Sequence, residues 1–404
     1  MQIKQVASIL NEVIKETLGQ ENLVKEDLTN VVDVGQQVSD ADKLDKYVKT
    51  LINHIGKVIF SDRTYTESSP NIMVDGWEYG SVLEKIQMDL PDSEENPSWK
   101  LENGQSYDPN IFTAPSVSAK FFNSRTTFEI AMSIAEKQVK QSFSNATQMN
   151  AFFSMIMNRI KTRLNIDYFN LKMRTINNFT AATIYAEYAA VSAASVTVTD
   201  TTKKSTVKAV NLLYLYKQAF PNTTVQADTC MQDMDFLKFA AYQIKLYHDR
   251  MVKASDLFNI GKTTKFTPKD MMKIILLNDF SSAADVYLQS DTFHKELTAL
   301  PQAETVPYWQ GTGTDYGYDK VSSISVSIRD PQNVNAALPA NAREVTISGI
   351  LGVMFDRDAL GVCNVDNRVP TNYNGRAEFT NYWFKSDAGY WNDYNENFVV
   401  FFAN

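Results

Sequence analysis

From Asn145 to Thr180 apolar and polar residues recur with the period of an α-helix. Met149, Phe152, Phe153, Ile156, Ile160, Leu164, Tyr168 and Leu171 fall three and four apart and share one face. Asn158, Arg159, Lys161, Arg163 and Asn170 take the other. Asn145 is suited to cap the start, with Gln148 reaching back to it. Neither glycine nor proline occurs between Pro115 and Pro221, so nothing local interrupts the helix. Roughly thirty residues predict a strut of about 45 Å, long for a compact domain.

Before that helix the period changes twice. Ile3, Val6, Leu10, Val13 and Ile14 predict an amphipathic N-terminal helix. A second helix is expected from Ser39 through Leu44, Tyr47, Val48, Leu51, Ile52 and Ile55 to Gly56, then a strand over Lys57–Thr66. From Trp77 to Arg125 the spacing becomes two. Val82, Ile86, Met88 and Leu90 oppose Leu83, Lys85, Gln87 and Asp89, and the return limb alternates through Val117, Ala119 and Phe121. The tip, Pro91 to Pro115, is punctuated by Pro91, Pro97, Gly104, Pro109 and Pro115. It holds too few apolar residues to bury itself, and projecting hairpins of this kind contact something else.

Phe128, Ile130, Met132 and Ile134 predict a strand leading into the long helix. Small residues from Tyr185 onward read as a passage to a second body. There Val207–Phe220, Asp233–Lys253 and Ser282–Leu300 read as helices and Met271–Leu277 as a buried strand. Strands follow at Val321–Ile328, Val345–Leu351 and Phe398–Phe402. The fold class is α+β. Its expected parts are an arm and helix (1–66), a hairpin (77–125), the strand and long helix (126–200), an α/β body (201–335) and closing strands (336–404).

Composition narrows the chemistry. The chain has 404 residues and a formal net charge of -8, which opposes a sequence-reading nucleic-acid binder but not a wall that faces nucleic acid. Cys230 and Cys363 lie far apart, so neither a disulfide framework nor a thiolate zinc site is expected, and a reducing cytoplasm fits. No signal-like or membrane-spanning apolar run occurs, so a soluble protein is expected. His54, His248 and His294 have no second ligand at metal spacing. Asp356-Arg357-Asp358 reads either as a carboxylate pair or as a turn. Phe379, Tyr382, Trp383, Phe384, Tyr390, Trp391, Tyr394, Phe398, Phe401 and Phe402 could form a stacking platform or a packed sheet. No catalytic, cofactor-binding or metal-binding residue is expected.

Two stretches carry a family resemblance: VDVGQQVSDADKLDKYVKTLINHIGKVIF (Val32–Phe60) and the segment Ile347–Phe402, which contains GVMFDRDALG. With the order of parts, they resemble the major capsid proteins of tailed double-stranded DNA phages, the Hong Kong 97 (HK-97-like) fold. The resemblance implies an N-arm, an E-loop at Val82–Phe121, a P-domain with a spine helix, an A-domain, and P-domain strands at Leu351–Gly361 and Phe379–Phe402. It implies hexamers and pentamers in an icosahedral head that encloses DNA without sequence-specific binding and without catalysis. The expected place is the virion, assembled in the host bacterial cytoplasm, with scaffolding, portal and decoration proteins as partners. Some relatives cross-link an E-loop Lys to a neighbour's Asn; Lys85, Lys100, Asn367 and Asn374 supply those residue types. Three alternatives stay open: an encapsulin-like compartment shell, a carbohydrate-binding surface module on the C-terminal aromatics, and an enzyme using Asp356 and Asp358.

Overall fold

The computed structural model describes residues 3–18, 24–25, 70–74, 83–88, 90–91, 93, 95–112, 114–135, 146–190, 193–199, 204–290, 303–309, 322–331 and 342–404. The helix expected at Ser39–Gly56, the strand at Lys57–Thr66, the Asn145 cap, His54 and His294 lie outside the described residues.

The helices are α1 (Ile3–Leu18), α2 (Ala146–Tyr188), α3 (Leu212–Ala219), α4 (Met234–Arg250) and α5 (Asn278–Ser290). The first strands are β1 (Met73–Val74), β2 (Leu83–Met88), β3 (Val117–Phe122), β4 (Arg125–Ala135), β5 (Ser195–Val198), β6 (Ala209–Asn211) and β7 (Met272–Leu277). Then come β8 (Glu304–Val306), β9 (Ile324–Arg329), β10 (Ala342–Ile347), β11 (Ile350–Asp356), β12 (Leu360–Arg368), β13 (Thr371–Asn374), β14 (Phe379–Asn392) and β15 (Phe398–Phe402).

At 43 residues α2 spans about 65 Å, longer than its stripe predicts. Its middle turns are amphipathic, with Met157, Ile160 and Leu164 buried and Arg159 and Arg163 exposed. From Leu171 to Tyr185 nearly every side chain is buried, because strands of three sheets pack on this half. The small residues Thr180, Ala181, Ala182 and Thr183 permit that close approach. The buried hydroxyls of Thr175 and Thr183 donate to the carbonyls four residues back, Leu171 and Phe179, at 2.8 and 3.0 Å.

One sheet runs β6-β15-β11-β7-β8 and is mixed: β6 pairs parallel with β15, β8 parallel with β7, and β11 lies antiparallel to both its neighbours. β11 and β15 are buried on both faces, the reason their sequences read as near-continuous apolar runs. Along β15 the alternation is visible in ring contacts. Phe398 stacks on Phe179 of α2 at 4.1 Å and Phe402 meets Tyr188 at 6.4 Å, while Phe401 meets Tyr247 of α4 at 5.6 Å. A second sheet has β14 at its centre, flanked by β4 on one side and by β12 and β13 on the other, with β1 beyond β12. A third is β5-β10-β9.

Two expected elements are revised. The single strand Val345–Leu351 is two strands in different sheets, because Gly349 takes φ +73° between them. The helix expected at Val207–Phe220 begins as β6 and starts helically only after Asn211, whose Oδ1 accepts from the Tyr214 N–H at 3.1 Å. Gly349→Ala would force a side chain into the left-handed region and against the Ala403 carbonyl. The expected cost is about 2 kcal/mol or more, read as a lowered Tm.

Lys172 on α2 is buried, and burial lowers its pKa to about 8 against the opposing pull of Glu304. Between pH 8 and 10.5 the unfolded chain therefore holds more protons at this site, and stability rises with pH there. Denaturant titrations of Lys172→Met should lack that rise while keeping the rest of the pH profile.

Candidate functional site

β2 and β3 form a two-stranded antiparallel hairpin whose amphipathicity is reversed. The residues facing the body are Leu83, Lys85 and Gln87 on β2, opposed in register to Phe122, Lys120 and Ser118 on β3. Apart from the Leu83–Phe122 foot, that face is polar. The outward face carries the apolar residues: Ile86, Met88, Leu90, Val117 and Phe121 are 59–73% exposed. Each would contribute roughly 1.5–3 kcal/mol on full burial, and among the described residues nothing covers them. Beyond the strands the tip keeps its shape by local turns. Asn96 caps the short Pro97–Trp99 helix, Asp108 accepts from the Asn110 N–H at 2.9 Å, and the Gln105 N–H donates to the Glu102 carbonyl at 3.3 Å. Trp99 and Phe112 are 95% and 87% exposed there.

The hairpin's inner face is tied down by charge. Asp393 and Glu396, in the turn between β14 and β15, have side chains 0% and 8% exposed. Lys85 Nζ donates to Asp393 Oδ2 at 2.9 Å and to Glu396 Oε1 at 2.6 Å, and Lys120 Nζ donates to Asp393 Oδ1 at 2.7 Å. Gln87 Nε2 also donates to Glu396 Oε1, at 3.1 Å. Lys265 Nζ, from the loop following α4, completes the cluster through Gln87 Oε1 at 3.0 Å and Glu396 Oε1 at 3.3 Å. Burial pushes the Asp393 carboxyl up, but the Lys85 charge and the hydrogen bonds from Lys120 and Lys85 outweigh it and hold the group below its ordinary value. Burial would lower Lys85, yet the Asp393 charge and the hydrogen bonds to Glu396 and Asp393 raise it. Asp393 therefore contributes stability above the ordinary aspartate pKa and loses it as pH falls through its depressed value. The Lys85 contribution is full below 10.5 and fades only as pH rises through its raised value. Across neutral pH the Asp393–Lys85 pair therefore stays charged.

The other candidates are not drawn into one place. Asp356 is buried and closes the β11–β12 turn, its Oδ1 accepting from the Asp358 N–H at 2.9 Å; burial raises its carboxyl. Asp358 lies at the surface 3.6 Å from Arg357. Tyr382, Phe384, Trp391, Phe398, Phe401 and Phe402 are buried in packed sheets rather than offered to a ligand. His248 lies beside Asp249, and no group of three His, Cys, Asp or Glu able to hold a metal occurs among the described residues. Lys85 is committed to the charged cluster and Lys100 lies at the exposed tip, 4.0 Å from Glu95. Asn374 Oδ1 accepts from the Arg376 and Ala377 N–H groups, and no hydrogen bond joins either lysine to Asn367 or Asn374 among the described residues. Asp393, Glu396, Lys120 and Lys265 were not singled out by sequence; the alternation showed two faces but not which one turns inward.

The sequence model of the family described as Phi29-like phage major capsid protein matches residues 7–402. No curated protein matches significantly. Among solved structures, the capsid structure of Staphylococcus phage Andhra is similar with a TM-score of 0.50 at 11% identity, covering 83% of this chain and 84% of that one. A chain in the structure of head fiber and inner core protein gp22 of native bacteriophage P68 has a TM-score of 0.49 at 10% identity, covering 82% and 83%. At such identity the Andhra match speaks for the fold alone: the chain has the α+β, HK-97-like capsid fold. No helix among the described residues is long and apolar enough to cross a membrane.

Because Ile86 and Phe121 are exposed and pack on nothing among the described residues, Ile86→Asp and Phe121→Asp should leave monomer stability within about 0.5 kcal/mol. Chemical denaturation of the unassembled subunit checks this.

Proposed function

The chain belongs to the Phi29-like phage major capsid protein family, and from that membership we propose how its subunits join. The protein is a structural capsid subunit of an icosahedral shell, and its place is the virion. The reading beyond this is that copies form hexamers and pentamers around double-stranded DNA, without catalysis, and assemble in the host bacterial cytoplasm. Scaffolding, portal and decoration proteins are its proposed partners. Residues 1–66 are the arm, 77–125 the E-loop, 126–200 with 336–404 the P-domain and 201–335 the A-domain. In that division the last segment serves both bodies, since β11 and β15 share a sheet with β6, β7 and β8.

The observation that supports the joining role is the reversed hairpin. A subunit that holds the polar face of a β-ribbon against itself and turns the apolar face outward is incomplete alone. The same face on every copy, laid on a neighbour, would be buried once per contact around a closed ring. Each contact is modest, and many together make a stable shell. An acidic tip suits a protein neighbour and not the phosphate backbone: between Pro91 and Pro115 there are five acidic residues and one lysine.

Replacing residues 91–115 by a short turn should leave the subunit folded and stop closed particles from forming. Circular dichroism and negative-stain microscopy of the expressed protein read the two outcomes. Normal closed particles from the shortened chain would contradict the joining role.

A further inference from the structure

We propose that Asp393 is the positioning residue that sets the angle at which the hairpin leaves the body, by standing between two lysines that would otherwise push it away. The proposal rests on the reading of the hairpin as a limb between subunits. Lys85 and Lys120 face each other directly across β2 and β3, and both turn inward. Like charges directly opposed across a strand pair repel, and a two-stranded ribbon has little stability of its own to resist them. Asp393 removes the conflict by giving one carboxylate oxygen to each ammonium, at 2.9 and 2.7 Å. Its own place is fixed: its N–H donates to the Ala359 carbonyl at 2.7 Å and its Oδ1 also accepts from the Asn395 N–H at 3.1 Å.

Among the described residues the inward face offers little else to hold the ribbon at this angle: Leu83 and Phe122 form a half-buried apolar foot, and everything further out on this face is polar. Glu396 has a second role. Its Oε1 gathers Lys85, Gln87 and Lys265, which links the ribbon to the loop after α4. Loss of the Asp393 charge would leave Lys85, Lys120 and Lys265 with Glu396 as their one remaining carboxylate in the cluster.

Asp393→Asn keeps the shape and the acceptor for Asn395 while removing the charge. Amide hydrogen exchange over 83–88 and 117–122 should then speed up by about tenfold or more, with β11 and β15 unchanged. Adding Lys120→Met removes the opposed charge and should restore most of the protection, a rescue that a purely structural aspartate would not show. Unchanged exchange in the single variant, or no recovery in the double one, overturns the proposal. If Asp393→Asn also loosens β11 and β15, Lys120→Met alone is read instead: with no charge opposed to Lys85 the hairpin should keep its protection, and loss of protection there would overturn the proposal. Particle formation separates the two readings: a released hairpin with normal closed shells overturns the limb reading and leaves the Asp393 assignment standing.

Discussion

A helix of 43 residues presents more surface than one core can cover, and the way α2 divides that surface governs the molecule. Its second half is enclosed by strands from three sheets. Phe179 sits 4.1 Å from Phe398 and 5.1 Å from Tyr394, and Asn392 Nδ2 reaches the Thr175 carbonyl at 3.2 Å. The C-terminal strands and the helix thus hold each other in place. The hairpin inherits its position from them. β3 runs into β4 after two residues, and the second of these, Ser124, offers its carbonyl to the Tyr390 N–H at 3.1 Å. The end of β14 therefore lies under the hairpin, and Asp393 comes beneath Lys85 although 308 positions separate them.

This arrangement splits the protein into a part that is finished and a part that is not. Around the second half of α2, β11 and β15 both faces are covered and the large aromatics interlock. The hairpin shows the opposite balance. Its polar face spends its charges on the body and its apolar face is left to solvent, which is unfavourable for an isolated molecule and useful for a wall subunit. A limb preset by ion pairs also loses less conformational freedom on docking than a loose loop would.

Much of this could be read from residue order, and the exceptions have physical causes. Ile160, Leu164 and Leu171 mark the buried stripe of α2, and Phe398–Phe402 announces a strand covered on both faces. The continuation of α2 through Tyr188 was hidden because alanine and threonine suit a linker as well as a tight contact between sheets. The break at Gly349 was hidden because alternation runs on through Ser348, and only a backbone angle reveals the stop. The hairpin's two faces were plain in Ile86, Met88, Lys85 and Gln87. Their orientation was not, since apolar residues ordinarily turn inward and the carboxylates that reverse the rule lie in a polar turn elsewhere in the chain.

The most direct test is a cryo-electron microscopy reconstruction of assembled particles at a resolution that shows side chains. The account predicts density in which Ile86, Met88 and Phe121 press against a neighbouring copy while Lys85 and Lys120 remain on Asp393 of their own chain. Shells in which that apolar face still looks onto solvent would contradict it.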